Sequence, residues 1–377
     1  MQKIGKIVYE MPPGPGNPRN SEGAFIDLAD GRILFAYSHY YEDSASDGAP
    51  AGIARCYSSD AGETWTEREI FIRPEEHGAQ NVMSVSLLRL NSGEIGLFYI
   101  IKRGDEDECR LHLRRSSDEG ETWGTAVCCV TTPGYFVTNN DRVIRLASGR
   151  LVVAAAKHTI QYTNGMKKKQ FDDKGIVYFY LSDDDGYTWH EARNFCALGV
   201  SNTESGLQEP GVLQLKSGVL WAWARTDLGR QYQMFSLDEG ERWTHPEPSA
   251  FSGPCSPLSI KRNLQSGDLL AIWNPVPMYQ TRKSFAAGWG RTPLVGAVSR
   301  DEGETWDHYF YVDNDEKAGY CYTAIHFTDD AVLLAYCAGS SDDGTSCLVR
   351  QRIKKIQISD IMNEHDPLDG KDYHRKK

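Results

Sequence analysis

The sequence predicts an all-β fold, a six-bladed β-propeller, and two repeated motifs carry the prediction. The first motif, S-x-D-x-G-x-T-W or Asp-box, occurs four times unchanged and once with Arg242 in place of Thr. The five copies are residues 58–65, 116–123, 182–189, 236–243 and 299–306. Self-similarity at intervals of tens of residues is typical of repeat architectures, in which each repeat is one supersecondary unit.

The second motif is a hairpin turn followed by a run of apolar residues. Its six copies are residues 28–31, 90–93, 146–149, 215–218, 264–267 and 327–330, and the last has Asp330 where the others have Gly. Gly or Asp at such a turn supplies the left-handed backbone that a tight hairpin requires. Each turn except the last is followed by an Asp-box, so six hairpins predict six blades.

Each blade is predicted to contain four antiparallel strands. In blade 1 these lie near residues 24–28, 33–38, 52–57 and 69–73, and in blade 6 near 322–327, 331–337 and 347–353. The N-terminal segment 4–10 is expected to supply the fourth strand of blade 6 and to close the ring, which removes exposed sheet edges. Residues 1–361 would then form one domain, followed by a polar tail at 362–377.

Composition excludes several classes of function. The net charge of −11 disfavours nucleic acid and anionic membranes as partners. No apolar run is long enough to span a membrane. An odd number of cysteines, nine, and the absence of a recognisable secretory signal predict a reduced, cytoplasmic protein. No spacing typical of a metal site occurs, so neither a metal nor a cofactor is expected. The oligomeric state is left open.

The Asp-boxes have the residue types of a catalytic site, but a structural role explains them better. Asp and Ser at a turn bind nearby backbone amides, Gly relieves a positive φ, and Trp packs between blades. Five near-identical copies do not fit the single active site of an enzyme. The five motif aspartates are therefore excluded as catalytic candidates.

Candidate functional residues lie on the opposite face of the disc. Antiparallel topology places the hairpins and Asp-boxes on one face, and the start of strand 1, the end of strand 2 and the start of strand 3 on the other. The polar residues expected at those positions are Arg19, Asp43, Asp47, Asn139, Asn140, Asp141, His158, Glu209, Arg225, Arg291 and Tyr320. From the residues alone, a ligand site at the central funnel and a merely solvated rim both remain open.

Several segments make the chain resemble the bacterial sialidase (exo-α-neuraminidase) family over nearly its whole length. The segment from Glu209 through the 215–218 hairpin to Arg225 is similar to one in which that family has a catalytic Glu before a strand and an Arg after it. The surroundings of Arg291 and the Gly-Tyr-Cys segment at Tyr320 are also similar. Asp47, thirteen residues before the first Asp-box aspartate, lies where the family has its general acid.

The resemblance implies roles for the candidates. Tyr320 would be the nucleophile, Glu209 its base and Asp47 the acid. Arg19, Arg225 and Arg291 would bind the substrate carboxylate. From their position on the same face, and not from the resemblance, Asp141 and His158 are expected to contact substrate, as is Asp43, which is also an alternative acid. Tyr322 lies two residues beyond Tyr320 and would point the same way along a strand.

The sequence also departs from the family pattern. Arg19 follows Asn-Pro, whereas the family has an aromatic residue before the Arg and Ile-Pro after it. The Asn139-Asn140-Asp141 triplet and His158 are not typical of the family either. These departures leave an anionic sugar as the expected substrate and its identity open.

The residue types fit the chemistry of a sialic acid, which carries a carboxylate on its anomeric carbon. Three arginines bind such a group by charge-assisted hydrogen bonds. A neutral Tyr avoids the repulsion that a carboxylate nucleophile would meet, and it needs a base because its pKa is near 10. The expected function is release of a terminal sialic acid with retention. Alternatives are a hydrolase or lyase for another acidic sugar such as a uronate, a non-catalytic glycan-binding propeller, and a protein-interaction scaffold.

Overall fold

The predicted fold class is confirmed. The computed structural model describes residues 1–104, 108–162, 169–199, 203–280, 286–344 and 346–363, and almost all of its regular structure is antiparallel β-sheet. Each blade contacts the next one around the disc, and blade 6 contacts blade 1. Six blades therefore surround a central axis.

Each of blades 1, 2, 4 and 5 is a run of four consecutive strands. Blade 1 has Asn20–Asp27, Ile33–Tyr40, Ala51–Ser58 and Glu69–Ile72; blade 2 has Asn81–Arg89, Ile95–Arg103, Glu108–Ser116 and Val127–Cys128; blade 4 has Gln208–Gln214, Leu220–Arg225, Arg230–Ser236 and Glu247–Ser252; blade 5 has Ser259–Arg262, Leu269–Trp273, Leu294–Ser299 and Asp307–Asp313.

Blade 3 has a divided inner strand. Tyr135–Val137 and Ile144–Arg145 both pair with the second strand, Leu151–His158, and Ile176–Ser182 and His190–Glu191 complete the sheet. Between the two halves, residues 138–143 leave the strand path beside the axis. A separate hairpin, Ile160–Tyr162 with Lys169–Phe171, follows the second strand.

Blade 6 is assembled from both ends of the chain. Its strands are Cys321–Phe327, Ala331–Cys337, Gln351–Gln357 and, at the outer edge, the N-terminal strand Lys6–Met11. The Glu10 carboxylate binds both Arg350 and Arg352 across this last pairing. The third strand, predicted near residues 347–353, is present but begins four residues later, at Gln351. Residues before Gln351 form a turn in which Leu348 N donates to Ser346 Oγ, at 3.1 Å, and Cys347 packs beneath the inner strand.

The Asp-boxes form closed hydrogen-bonded turns. In the first, Asp60 Oδ1 accepts from Ser58 Oγ at 2.8 Å and from Thr64 N at 2.9 Å, while Ser58 Oγ accepts from Gly62 N at 2.8 Å. The hydroxyl of Thr64 bonds the other carboxylate oxygen at 2.5 Å. These bonds lower the pKa of Asp60 to about 2, the Thr64 hydroxyl contributing most. The motif acids are thus used within their own turns.

The motif tryptophans and the apolar strand residues form the core between blades. Trp243 stacks on Phe179 of the preceding blade, with ring centroids 3.8 Å apart. Such contacts bury large aromatic area and fix the spacing of neighbouring sheets.

β-bulges near the start of the inner strands direct polar side chains toward the axis. Pairing of the first two strands shifts register at this point in blades 1, 2, 4 and 6. The bulged residues have positive φ: Glu22 56°, Ser84 60°, Glu209 47° and Tyr322 57°. A bulge re-aims the side chain and ends the regular alternation of strand faces.

The chain continues past blade 6 as a short helix, Ile358–Asn363, with Ile361 buried against the blade. The rest of the predicted polar tail, residues 364–377, lies outside the described residues. Among the described residues, no helix has the length and apolar character needed to cross a bilayer.

Candidate functional site

A cavity of about 330 Å³ opens on the face opposite the Asp-boxes, and we call it the axial cavity. Bulged residues of the inner strands form its floor, and the ends of second strands and a loop of blade 1 form its walls. Its lining is Glu22, Asp47, Met83, Ser84, Ile100, Lys102, Tyr135, Val137, Asn139, His158, Asp173, Gln208, Glu209, Arg225 and Tyr322.

A tyrosine and a glutamate are paired on the floor of this cavity. Tyr322 Oη donates to Glu209 Oε1 at 2.8 Å. Both side chains are almost fully buried, and Glu209 belongs to blade 4 whereas Tyr322 belongs to blade 6. Burial and the adjacent carboxylate raise the pKa of the Tyr322 phenol well above its ordinary value. The phenol is therefore neutral, with an acceptor in place for its proton.

The predicted partner of Glu209 was Tyr320, and this prediction was wrong. Tyr320 precedes the inner strand and lies in the apolar core, where its ring contacts Tyr336 at a centroid distance of 6.1 Å. Its hydroxyl accepts a hydrogen bond from Asp315 N at 3.3 Å. The bulge at Tyr322 breaks the alternation on which the register was based.

Arginines flank the tyrosine on two sides. Arg225 Nη1 lies 3.4 Å from Tyr322 Oη and 2.7 Å from Glu209 Oε2. Gln208 Oε1 accepts from Arg225 Nε and Nη2 and holds the guanidinium in this orientation. The Arg291 guanidinium lies 5.6 Å from the centre of the Tyr322 ring. Arg225 lines the cavity, whereas Arg291 lies behind the tyrosine.

Arg291 is held by sulfur and carbonyl groups. Its Nη1 contacts Cys321 Sγ at 3.2 Å and its Nη2 donates to Cys255 O at 3.2 Å. Burial raises the pKa of the Cys321 thiol, but hydrogen bonds from Cys337 and Cys347 and the charge of Arg291 lower it overall.

Arg19 belongs to an ionic cluster with two carboxylates. Its Nη1 binds Asp47 Oδ1 at 2.5 Å, and its Nη2 lies 3.5 Å from Glu22 Oε1. The Arg19 side chain is 1% exposed, whereas that of Asp47 is 63% exposed. Desolvation favours the neutral form of Asp47, but Arg19 and Lys102 outweigh it and hold its pKa at about 2. Asp47 is thus ionised while this ion pair persists.

Glu22 is the acid of the cavity with the opposite shift. Burial raises its pKa to about 7, although Arg19 opposes the change. Its Oε2 is 3.1 Å from Ser84 Oγ, which lies at the equivalent bulge of blade 2. Near neutral pH, the Glu22 carboxyl group is therefore present in both its protonated and its ionised form.

Blade 3 contributes a polar wall. His158 is buried, its Nδ1 lies 3.2 Å from Asp172 O, and burial lowers its pKa, so the ring is neutral at pH 7. Asn139 is 2% exposed, and its Oδ1 accepts a hydrogen bond from Asn140 N. The Asn139 Nδ2 has no hydrogen-bond partner among the described residues and is a free donor at the cavity wall.

Five predicted site residues do not line the axial cavity: Tyr320, Arg19 and Arg291, described above, and Asp43 and Asp141. Asp43 is an exposed loop residue. Asp141 turns toward the other face, where it binds Lys261 Nζ at 3.0 Å and accepts from Ile325 N at 3.1 Å. The chain reverses direction at Asn140, so Asn139 lines the axial cavity whereas Asp141 faces the opposite end of the propeller axis.

Sequence reasoning missed Glu22, Lys102, Gln208 and Asp173 as lining residues. Glu22 had a usable signal, because it lies three residues after Arg19 and six before the turn at Leu28, as Glu209 lies six before Leu215. Lys102, Gln208 and Asp173 had no distinguishing pattern. Among the described residues no cluster of His, Cys, Asp and Glu has the geometry of a metal site.

Fold and site together define a six-bladed propeller whose axial cavity contains a tyrosine–glutamate pair bordered by arginines. A model of the BNR repeat-like domain matches residues 31–334, and the chain belongs to this family. No match was found among curated proteins.

Solved structures similar to this chain include sialidases. The Hadza microbial sialidase Hz136 is 19% identical with a TM-score of 0.68, over 91% of this chain and 66% of its own. The leech intramolecular trans-sialidase is 14% identical with a TM-score of 0.70, over 97% and 72%. A protein of unknown function from Dyadobacter fermentans is 17% identical with a TM-score of 0.67, over 93% and 99%. At these identities the likeness establishes the fold.

Proposed function

We propose that this protein is an exo-acting glycoside hydrolase that releases a terminal sialic acid, or a close nonulosonic acid, from a glycan with retention of configuration. The observation that carries the proposal is the hydrogen bond between Tyr322 and Glu209 on the cavity floor. A phenol is a preferred nucleophile where the anomeric carbon carries a carboxylate, since a charged nucleophile would be repelled.

In the first step, Tyr322 Oη forms a bond to the anomeric carbon as the glycosidic bond breaks. The phenol proton passes to Glu209, and the leaving oxygen takes a proton from Asp47. In the second step, Asp47 removes a proton from water, whose oxygen attacks the anomeric carbon as the bond from this carbon to Tyr322 Oη breaks, and Glu209 returns its proton to the released tyrosine oxygen. Two displacements give retention.

The arginines couple substrate binding to the state of the acid. Arg225 is the arginine that lines the cavity, and Arg19 is neutralised by Asp47 in the ligand-free protein. A substrate carboxylate that binds Arg19 would displace Asp47 and raise its pKa from about 2 toward the range of a general acid. Asp47 can move, because its side chain is 63% exposed on a loop.

The dimensions of the cavity support exo-action. At about 330 Å³ it lies at the lower end of ligand pockets and suits a single sugar. Met83, Ile100 and Val137 add apolar surface to its lining. One terminal residue would enter, with the rest of the glycan in solvent.

A second candidate is a hydrolase or lyase for another acidic sugar, such as a uronate. His158 and Asn139 favour it, because both line the cavity and neither is typical of sialidases. A neutral imidazole is suited to proton transfer at a carbon or oxygen of such a sugar.

The test is hydrolysis of the 4-methylumbelliferyl glycoside of N-acetylneuraminic acid, with the glucuronide compared in parallel. Release from the sialoside, lost in Glu209→Gln and kept in the surface variant Arg193→Ala, would support the proposal. Cleavage of the glucuronide but not of the sialoside would instead support the second candidate function, a hydrolase or lyase for a uronate. Binding of either sugar without turnover would leave a glycan-binding propeller.

A further inference from the structure

A second cavity, of about 360 Å³, opens at the other end of the central channel, and we call it the basal cavity. It lies on the face of the hairpins and is bordered by the C-terminal halves of inner strands from blades 2 to 6. Four of its lining residues are cationic and one is acidic: Arg142, Arg145, Lys261, Arg262 and Asp141.

Two of the four cations are neutralised by nearby acids. Lys261 Nζ binds Asp141 at 3.0 Å, and Arg262 forms a two-pronged pair with Glu302 at 2.6 and 2.7 Å. Neither Arg142 nor Arg145 forms an ion pair with any described residue. The basal cavity therefore contains two arginines, the buried Arg142 and the exposed Arg145, that have no ion-pair partner among the described residues, in a protein whose net charge is −11.

It is unusual for Arg142 to have no ion-pair partner among the described residues, because the residue is only 4% exposed. Its Nη2 donates to Leu258 O at 2.8 Å, but its buried Nε has no partner among the described residues. Burial lowers its pKa to about 10, although Asp141 and Glu209 oppose the shift. A buried cation is costly unless a counter-ion accompanies it.

Apart from Gln214 and Ser259, the remaining lining residues of the basal cavity are apolar. Val143, Val212 and Ile260 line it and are buried, and the Trp223 ring lies 6.0 Å from the Arg142 guanidinium. Cations beside an apolar wall match a ligand that has a carboxylate at one end and hydrocarbon at the other.

We propose that the basal cavity binds a small organic carboxylate, with its anionic end at Arg142 and Arg145 and its apolar body against Val212 and Ile260. This site is separate from the axial cavity. The Asn140 side chain lies between the two, since its Nδ2 donates to Gly23 O at 2.7 Å and to Tyr322 O at 3.2 Å. The proposal does not depend on the proposed function.

The test is calorimetric titration of the whole protein with benzoate, and with benzyl alcohol as the neutral match. Benzoate is expected to bind one to one, at least tenfold more tightly than benzyl alcohol, and more weakly as salt is raised. No binding of benzoate, or equal binding of the alcohol, would overturn the proposal.

Variants locate the site. Arg142→Met and Arg145→Ala should each weaken benzoate binding at least tenfold, whereas the matched surface control Arg193→Ala, whose side chain is 62% exposed, should not. Arg225→Met should leave it unchanged. Loss in Arg225→Met with retention in Arg142→Met would place benzoate in the axial cavity and contradict the proposal. If Arg142→Met does not fold, Arg145→Ala and Arg145→Glu carry the same test, because Arg145 is exposed.

Discussion

At the scale of single residues, the axial cavity depends on side chains held in an unfavourable backbone conformation. Glu22, Glu209 and Tyr322 have φ values of 56°, 47° and 57°, in the region that L-residues seldom adopt. Each such residue costs on the order of 1–3 kcal/mol, which the surrounding sheet must offset. These three residues lie where three blades present their functional groups to one point.

The two neighbouring tyrosines provide a matched test of this geometry. Tyr322→Phe removes the phenol beside Glu209 and should lower turnover by a factor of about 1,000 or more, as loss of a nucleophile does. Tyr320→Phe removes a hydroxyl that accepts one backbone hydrogen bond, so turnover should stay within about threefold. Steady-state rates of the two variants test whether Tyr322 rather than Tyr320 is the nucleophile, and equal rates would contradict this role of Tyr322.

Glu22 predicts a pH dependence of stability. Its pKa rises from 4.5 to about 7 on folding, so the folded protein keeps a proton that the unfolded chain loses between these values. Stability from this group is present below pH 4.5 and is lost as pH rises through 7. The groups acting on it are Arg19, Asp47, Glu209 and Lys102.

The variant Glu22→Gln cannot titrate and isolates this contribution. The unfolding free energy of the parent minus that of the variant should fall from pH 4 to pH 8, by on the order of 3 kcal/mol at most. Urea unfolding at several pH values measures it. A difference that does not change with pH would show that Glu22 is already ionised in the folded state.

The choice between Tyr320 and Tyr322 could not be made by counting from the hairpin turn. Glu22, Ser84 and Glu209 each lie six residues before the first residue of their turn, but Tyr320 and Tyr322 lie seven and five before Phe327, and only the structure shows that the blade 6 turn begins at Thr328. Strand alternation alone could not reveal this, because it assumes an unbroken pleat. Lys102 and Asp173 were unpredictable, since only long-range packing places them at the axis.

At the scale of elements, the Asp-box repeats were predictable because their hydrogen bonds are local. Ser, Asp, Gly and Thr bond within seven residues in every complete copy, so the motif specifies its turn without help from the fold. The third strand of blade 6 has no Asp-box after it, and its position was predicted four residues early. Because no Asp-box marks the end of this strand, the apolar residues 347–349 were predicted to belong to it.

The incomplete fourth Asp-box gives a stability prediction. Arg242 replaces the Thr whose hydroxyl binds the motif Asp elsewhere, and its guanidinium lies 3.5 Å from Asp238 with 63% of the side chain exposed. Arg242→Thr should restore the hydroxyl bond and raise the unfolding free energy by about 0.5 kcal/mol, since the lost surface pair contributes little.

The reciprocal change Thr122→Arg in blade 2 is the control and should lower stability by a similar amount. Its hydroxyl lies 2.5 Å from Asp118 Oδ2. Urea unfolding gives the change in unfolding free energy for each of the two variants. A loss of stability in Arg242→Thr would mean that the ion pair outweighs the hydroxyl bond.

At the scale of the whole molecule, the propeller is held together by pairing between the two ends of the chain. Lys6–Met11 completes the sheet of blade 6, and without it Gln351–Gln357 would be an uncovered edge strand. Uncovered edges favour aggregation, and the loss of a strand weakens a ring whose blades support one another.

Deletion of residues 1–11 should therefore lower the unfolding midpoint by about 5 °C or more and promote aggregation on heating. The control is Lys6→Ala, because that side chain is 76% exposed and pairs with Glu63 at 3.4 Å on the surface. Thermal unfolding followed by circular dichroism, with light scattering, makes the comparison. Unchanged behaviour of the deletion would show that the other blades suffice.

The central claim is that Tyr322 is the nucleophile of a retaining glycoside hydrolase, and covalent trapping tests it most directly. A fluorinated sialosyl fluoride should form a stable aryl glycoside, in which the anomeric carbon is bonded to the phenol oxygen. Peptide mass spectrometry should locate this adduct at Tyr322. Tyr322→Phe should remain unlabelled, and Tyr320→Phe should label as the parent does. Labelling of Tyr320, or of no tyrosine in a protein that hydrolyses sialosides, would contradict the account.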